Sequence, residues 1–515
     1  MQYFLVAIIL FSMSFIGIAD PITLNTPQGK LLGETVAKNN VQVFKGIPYA
    51  LPPVGERRWK PAEPAPAWTS VRRATQFGFN CMQEPRLEGG FFYRPSLPMS
   101  EDCLYLNVWA PTKSEKKLPV MVWIHGGALT RGGGDAPAYD GAALAQKDVV
   151  VVTINYRLDV FGHLAHNELS AESANKASGN YATTDQIQAL KWVQENIGAF
   201  GGDKNNVTIF GESAGSWSVT HLVASPLAKN LFHKAIGQSG TVLGVMPELT
   251  RPLNALPSAE MSGNSFMQAA GVNSLVELRA LPAHEILSAS SKSRFRSAAV
   301  VDGWLFPQQI YSIFEQGKQN AVPVIVGFNA DEGTTLGVAA RIPESVEKYL
   351  ETVKVQYGSM AEDFLTLYPA ENLKKSTFDS FRDGFVTWSM QSWAMMTANV
   401  NQPAYLYYFS HRPSGPDQDT LGAYHAAEIS YVFNNYPSSP RYEKKMANIM
   451  SDYWVSFAYD GNPNSKKLPE WQPYKKDNRN YIEFNSETKK GAIPSVDLFP
   501  GIWEFHEKAM LQNRP

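Results

Sequence analysis

The stretch Val207–Leu222, VTIFGESAGSWSVTHL, constrains this chain more than any other. Val207 to Phe210 is a short β-branched, apolar run of the kind that forms a buried strand. Ser213 to Leu222 has the small and apolar residues of a helix. Between them lies Gly211-Glu212-Ser213-Ala214-Gly215, a G-x-S-x-G sequence. A strand that turns this sharply into a helix forces its turning residue into a strained backbone conformation. Side chains two positions to either side would collide, so both positions require glycine. The Ser213 hydroxyl is thereby expected at the tip of the turn, at the positive end of a helix. The pentapeptide alone is common, and the flanking strand and helix are what make it a nucleophile site.

A serine at such a turn is inert without a base, because its hydroxyl barely ionises at neutral pH. It also needs donors for the oxyanion and an acid that orients the base. Upstream, Ile124-His125-Gly126-Gly127-Ala128 ends an apolar strand with three small residues. Such a loop lets backbone N–H groups approach a ligand. Of the nine histidines, His221 follows Ser213 within the same predicted helix, and His233, His284, His411, His425 and His506 lie further on, as the order serine, acid, histidine requires. His425 lies in a loop beyond the predicted strand Tyr405 to Phe409, and His411 sits closer to that strand. Composition does not separate these two. Asp331 and Glu332 follow the predicted strand Val322 to Gly327, and either carboxylate could serve as the acid.

The alternation continues along the chain. Residues 20–45 read as a small antiparallel entry sheet with turns at Thr26-Pro27-Gln28-Gly29 and Lys38-Asn39-Asn40. Residues 46–70 carry many prolines and read as irregular coil. Leu104 to Trp109, Val120 to Ile124, Val149 to Ile154 and Lys234 to Gln238 are further apolar strands, and Ala138 to Lys147 has helical composition. Tyr181 to Ile197 has apolar residues at helical spacing, with Thr183 or Thr184 as N-cap. Strands alternating with helices imply an α/β fold with a large, mostly parallel central sheet covered on both faces. Residues 246–295 and 342–400 read as helical cap insertions beside it.

Residues 1–19 read as a cleaved signal peptide, because Tyr3 to Ile18 is almost wholly apolar and Gly17-Ile18-Ala19 ends in small residues. The run is short for a membrane span of about 20 residues. Its n-region lacks Lys and Arg. Residues 20–515 show no polar, low-complexity linker and are expected to form a single domain in a secreted or periplasmic protein. The two cysteines, Cys81 and Cys103, then most simply form one disulfide, whereas a cytosolic chain would keep two free thiols. A net charge of −2 with scattered signs gives no footprint for nucleic acid, and no later run is apolar enough for stable membrane insertion.

The chain resembles the type-B carboxylesterases of the α/β-hydrolase fold, the family that includes cholinesterases and bacterial para-nitrobenzyl-type esterases. The resemblance rests on Phe44-Lys45-Gly46-Ile47-Pro48-Tyr49-Ala50, Glu101-Asp102-Cys103-Leu104-Tyr105-Leu106-Asn107, Trp123-Ile124-His125-Gly126-Gly127-Ala128 and Asn155-Tyr156-Arg157. It continues through Gly179-Asn180-Tyr181, Phe200-Gly201-Gly202-Asp203, Phe210-Gly211-Glu212-Ser213-Ala214-Gly215, Gln238-Ser239-Gly240, Asp331-Glu332-Gly333-Thr334 and Gly461-Asn462-Pro463. It implies Ser213 as nucleophile, Glu332 rather than Asp331 as acid and His425 as base, with Glu428 three residues beyond. It implies Gly127, Ala128 and Ala214 as oxyanion donors beside Gly126, with Glu212 and Ser239 as polar neighbours of the triad. It also implies a Cys81–Cys103 disulfide, ester hydrolysis through an acyl-enzyme, a small-molecule ester substrate, and no metal or organic cofactor. Two departures stand out. Ala128 occupies a position that is often glycine, and no tryptophan lies between Cys81 and Cys103, which counts against a quaternary ammonium substrate. A true lipase and a non-catalytic interaction module of the same fold are the rival readings. The sequon at Asn206-Val207-Thr208 abuts the nucleophile strand and reads as structural.

Overall fold

A computed structural model describes residues 20–36, 40–85, 98–242, 244–436, 440–485 and 491–512. The leader, the Lys38-Asn39-Asn40 turn in part, and the Phe91-Phe92-Tyr93 stretch lie outside the described residues.

The described residues contain thirteen strands in one mixed sheet. In chain order they are β1 (Asp20–Thr26), β2 (Gly29–Val36), β3 (Val41–Pro48), β4 (Arg72–Arg73), β5 (Tyr105–Pro111), β6 (Leu118–Ile124) and β7 (Val150–Ile154). There follow β8 (Gly202–Glu212), β9 (Lys234–Gln238), β10 (Val324–Asn329), β11 (Ala404–Phe409), β12 (Asn480–Asn485) and β13 (Gly491–Val496). Their spatial order is β1-β2-β3-β5-β7-β6-β8-β9-β10-β11-β12-β13, with β4 on β2. Neighbours from β7 through β12 are parallel, while both flanks are antiparallel apart from the short parallel pairing of β4 on β2.

Burial explains the division. The parallel strands β6, β7 and β10 are buried at every residue, as continuous apolar runs covered on both faces require. Strand β2, in the antiparallel flank, is only partly buried, with Leu31 and Gly33 inward. Side chains alternate across each strand and feed two cores. Val122, Ile209, Val326 and Leu406 face one core, which also takes Leu190 and Val193 of the helix Tyr181–Asn196 and Leu222 of the helix Ala214–Ala224. Met121, Trp123, Phe210, Ile325 and Tyr407 face the other, closed by Met450, Trp454 and Phe457 of the helix Arg441–Asp460.

Some local expectations change. Asn180, not Thr183 or Thr184, stands at the N-cap position of the helix Tyr181–Asn196, and its side chain bonds to Val300 and Asp302 without capping the helix. The Thr184 hydroxyl instead donates to the Tyr181 carbonyl inside the first turn. Residues 138–147 contain only the short helix Ala142–Ala145 after a 3-10 turn, because Pro137 and Gly141 interrupt the helical composition. The two cap stretches are helical but broken. The first divides into Ala259–Ala270, Leu275–Ala280 and Ala283–Ser293, interrupted at the left-handed Gly271 and at Pro282. Asn206 is engaged at both ends of its amide: Nδ2 donates to the Tyr459 carbonyl at 2.9 Å, and Lys234 Nζ donates to its Oδ1. Cys81 and Cys103 form a disulfide.

Candidate active site

The parallel strands end at one level. Ile124 of β6 pairs with Gly211 of β8, Glu212 with Gln238 of β9, Gln238 with Gly327 of β10, and Asn329 of β10 with Phe409 of β11. The loops that leave these carboxyl ends carry every residue expected in the site, in the crevice where open α/β sheets bind ligands.

Ser213 is the turning residue between β8 and the helix Ala214–Ala224, with φ 57° and ψ −123°. Its N–H donates to the Gln238 carbonyl at 2.9 Å, and its carbonyl accepts from Trp217 N–H at 3.0 Å. These two bonds hold a conformation that an isolated serine avoids. Glycine is obligatory around it for lack of space. A Cβ on Gly215 would fall on the Ile124 carbonyl, and one on Gly126 would stand 2.7 Å from the Glu212 carbonyl and 3.1 Å from Ser213 Cβ. The Gly126-Gly127-Ala128 loop therefore lies against the serine. Gly127 and Ala128 have φ of 114° and 56°. The Gly127 carbonyl turns inward, accepting from Thr130 and Arg131 N–H at 3.1 and 3.0 Å.

His425 is 5% exposed, and its Nδ1 lies 2.5 Å from Glu332 Oε2. The other oxygen, Oε1, accepts from Asn329 N–H at 2.8 Å, so the carboxylate is held at both ends. Asp331 points elsewhere: its Oδ2 accepts from Ala423 N–H at 2.8 Å and pins the loop that carries His425. His411 is likewise engaged away from the site, with Nε2 2.9 Å from the Tyr431 hydroxyl and 2.8 Å from Glu443 Oε2. His425 Nε2 lies 3.1 Å from Glu212 Oε1 and makes no hydrogen bond to Ser213 Oγ in this structure. Bonds of this kind often close only when substrate is present.

Glu428, three residues beyond His425, is a third buried carboxylate, accepting from Gln238 Nε2 at 2.9 Å and Asn329 Nδ2 at 2.6 Å. Neither Gln238 nor Asn329 carries a sequence signal for this task beyond its place at a strand end. Burial pushes the Glu212 carboxyl up, opposed by the His425 charge. Burial alone would push His425 down, but Glu212, Glu332 with its hydrogen bond, and Glu428 outweigh it and raise the imidazole. Ser239 is fully buried with φ 50°, and its hydroxyl has no partner among the described residues.

This arrangement, a strained, half-buried serine near a carboxylate-bound imidazole and a glycine-rich loop, suits nucleophilic attack on a carbonyl. Known proteins similar to this chain agree. The sequence pattern of the carboxylesterase family matches residues 20–497. The para-nitrobenzyl esterase of Bacillus subtilis (strain 168) is 35% identical over 507 residues, covering 93% of this chain and 99% of that protein. The fumonisin B1 esterase of Sphingopyxis macrogoltabida is 36% identical, covering 89% of this chain and 87% of the relative. The crystal structure of a Geobacillus stearothermophilus carboxylesterase at pH 6.2 superposes with a TM-score of 0.80 at 33% identity, covering 95% of this chain and 99% of that one. The fold is thus the α/β-hydrolase fold, and the chain belongs to the carboxylesterase family and hydrolyses carboxylic esters.

Proposed function

We propose that Ser213 is the nucleophile, His425 its base and Glu332 the acid that orients the imidazole and stabilises its charged form. The observation that carries this reading is the 2.5 Å contact between His425 Nδ1 and Glu332 Oε2. That contact leaves Nε2 as the nitrogen available to the Ser213 side. Ser213 Oγ attacks the ester carbonyl as its proton passes to His425. Gly127, Ala128 and Ala214 N–H groups hold the oxyanion, and the imidazolium protonates the departing alcohol. Water, activated by the same histidine, then releases the acid from the acyl-enzyme. Glu212 and Glu428 add negative potential around the imidazolium. Supporting the oxyanion assignment, Gly126 packs against Ser213, and Ala214 opens the helix at its positive end.

The substrate class is a small carboxylic ester. Residues 20–515 act as one unit behind a leader removed at Ala19, which places the protein outside the cytoplasm. In support, one sheet takes strands from Asp20 to Val496, Cys81 and Cys103 are paired, and no helix among the described residues is long and apolar enough to cross a membrane.

The test is covalent labelling of the mature protein with an organophosphonate. One equivalent should add to Ser213, abolish ester hydrolysis, and be lost in Ser213→Ala. Folded protein that neither labels nor hydrolyses short esters would instead favour an interaction module.

A further inference from the structure

The turn after β7 runs beside the loop proposed to hold the oxyanion and fixes it at three points. Asn155 Oδ1 accepts from Gly134 N–H at 2.8 Å. The Tyr156 hydroxyl donates to the His125 carbonyl at 2.7 Å, and its ring stacks on the His125 imidazole at 4.4 Å. Asp159 N–H donates to the Leu129 carbonyl at 2.8 Å. Between these points the loop is strained, since Ala128 and Leu129 have φ of 56° and 61°. Residues with a Cβ avoid left-handed backbone and persist there only where their surroundings over-determine them.

Asp159 is itself left-handed, with φ 48°. Glycine would hold that angle without strain. The aspartate carboxylate is buried, in a residue 8% exposed, and accepts from Ser290 Oγ at 2.9 Å and Ser297 Oγ at 3.1 Å. Ser290 belongs to the cap helix Ala283–Ser293, and Ser297 follows its left-handed C-terminal residue Arg294. Asp159 is also the first residue of its own short helix, Asp159–His163, so a purely local role is the competing explanation. The two serine bonds do what a local role does not: they join the cap to the backbone that grips Leu129.

We propose that Asp159 is a positioning residue, which ties the cap helix Ala283–Ser293 to Leu129 and so holds the strained oxyanion loop in its working conformation. The proposal rests on the oxyanion role assigned above to Gly127 and Ala128. When the tie is lost, the loop relaxes toward unstrained backbone. The oxyanion donors are then misplaced in a fraction of molecules, and kcat falls while ground-state binding is little changed.

The experiment compares Asp159→Gly, Asp159→Asn and the double variant Ser290→Ala/Ser297→Ala in the mature protein. It measures kcat and KM on para-nitrophenyl acetate and hydrogen exchange of the amides of residues 126–131. Asp159→Gly and the serine pair should each lower kcat about tenfold, the scale set by releasing one left-handed residue. KM should stay within about twofold, and loop exchange should become faster. Asp159→Asn should restore most of the rate, because its amide can still pair with both hydroxyls. If Asp159→Gly does not fold, the serine pair decides alone. Unchanged kcat and unchanged exchange in the serine pair would overturn the proposal, as would an Asp159→Gly defect that the serine pair does not share. Faster loop exchange with unchanged kcat would overturn the oxyanion assignment instead and leave the mechanical tie standing.

Discussion

Replacing Glu332 by glutamine should nearly abolish turnover, whereas Asp331→Asn should not. Glu332 is fully buried and holds two partners: Oε1 accepts from Asn329 N–H at 2.8 Å, and Oε2 meets His425 Nδ1 at 2.5 Å. A glutamine has one oxygen, and the Asn329 N–H must keep it, because a buried amide without an acceptor is costly. The glutamine NH2 is then left facing Nδ1. The imidazole answers by placing its proton on Nε2, which can no longer accept from Ser213. A tautomer error of this kind costs roughly three to four orders of magnitude in kcat in hydrolases with this constellation. At Asp331 the geometry is forgiving. Only Oδ2 is engaged, by Ala423 N–H at 2.8 Å, and asparagine retains that oxygen. A loss of a few-fold at most is expected, through the position of the His425 loop. Both variants would be assayed on para-nitrophenyl acetate after circular dichroism establishes that each is folded. If Asp331→Asn is the more damaging, or if Glu332→Gln keeps about a tenth or more of the rate, the tautomer argument is wrong for this site.

Three further outcomes are expected. The carboxylates around His425 raise it above the usual histidine value of about 6.5. Its protonated form is inactive, so activity should be lost as pH falls through a midpoint above that value, and Glu212→Gln should move this limb of the kcat/KM profile to lower pH; an unmoved limb would refute the coupling. Replacing Cys81 and Cys103 by serine should destabilise the protein by about 2–4 kcal/mol, read from denaturant unfolding, because the bond closes a long loop of the unfolded chain; an unchanged midpoint and slope would contradict it. The Gly126 carbonyl faces His125 Nδ1 at 2.8 Å and the Gly127 carbonyl is taken up within its own loop, so neither projects into the space beside the serine. Slow turnover of tert-butyl acetate, absent in Ser213→Ala, is therefore expected alongside faster turnover of n-butyl acetate, and equal rates for wild type and Ser213→Ala on the tertiary ester would refute it.

The sequence by itself determined the strand-to-helix turn at Ser213 and its place in the chain. Glycines at 211 and 215 are steric necessities of a strand folding directly into a helix, and they mark the turn wherever it occurs. It also determined the central strands, since β6, β7, β10, β11 and the Val207–Phe210 half of β8 are runs whose apolar content declares burial, whereas the polar first half of β8 from Gly202 carries no such signal. Which carboxylate and which histidine face the serine was not contained in local sequence. Asp331 and Glu332 are adjacent and chemically alike, and their fates are set by Ala423 and His425, more than 90 residues away. Local sequence makes His411 as eligible as His425, but Tyr431 and Glu443 engage it away from the serine. Resemblance to a family implied a choice between these alternatives, but the physical basis for one is tertiary. A carboxylate or an imidazole takes its role from what its hydrogen bonds meet, and those partners come from strands that are neighbours in space only. The same holds for Asp159: nothing in its sequence context shows a left-handed backbone or two serines of the cap closing on its side chain. Both arise where the turn after β7 and the helix Ala283–Ser293 are brought together by packing.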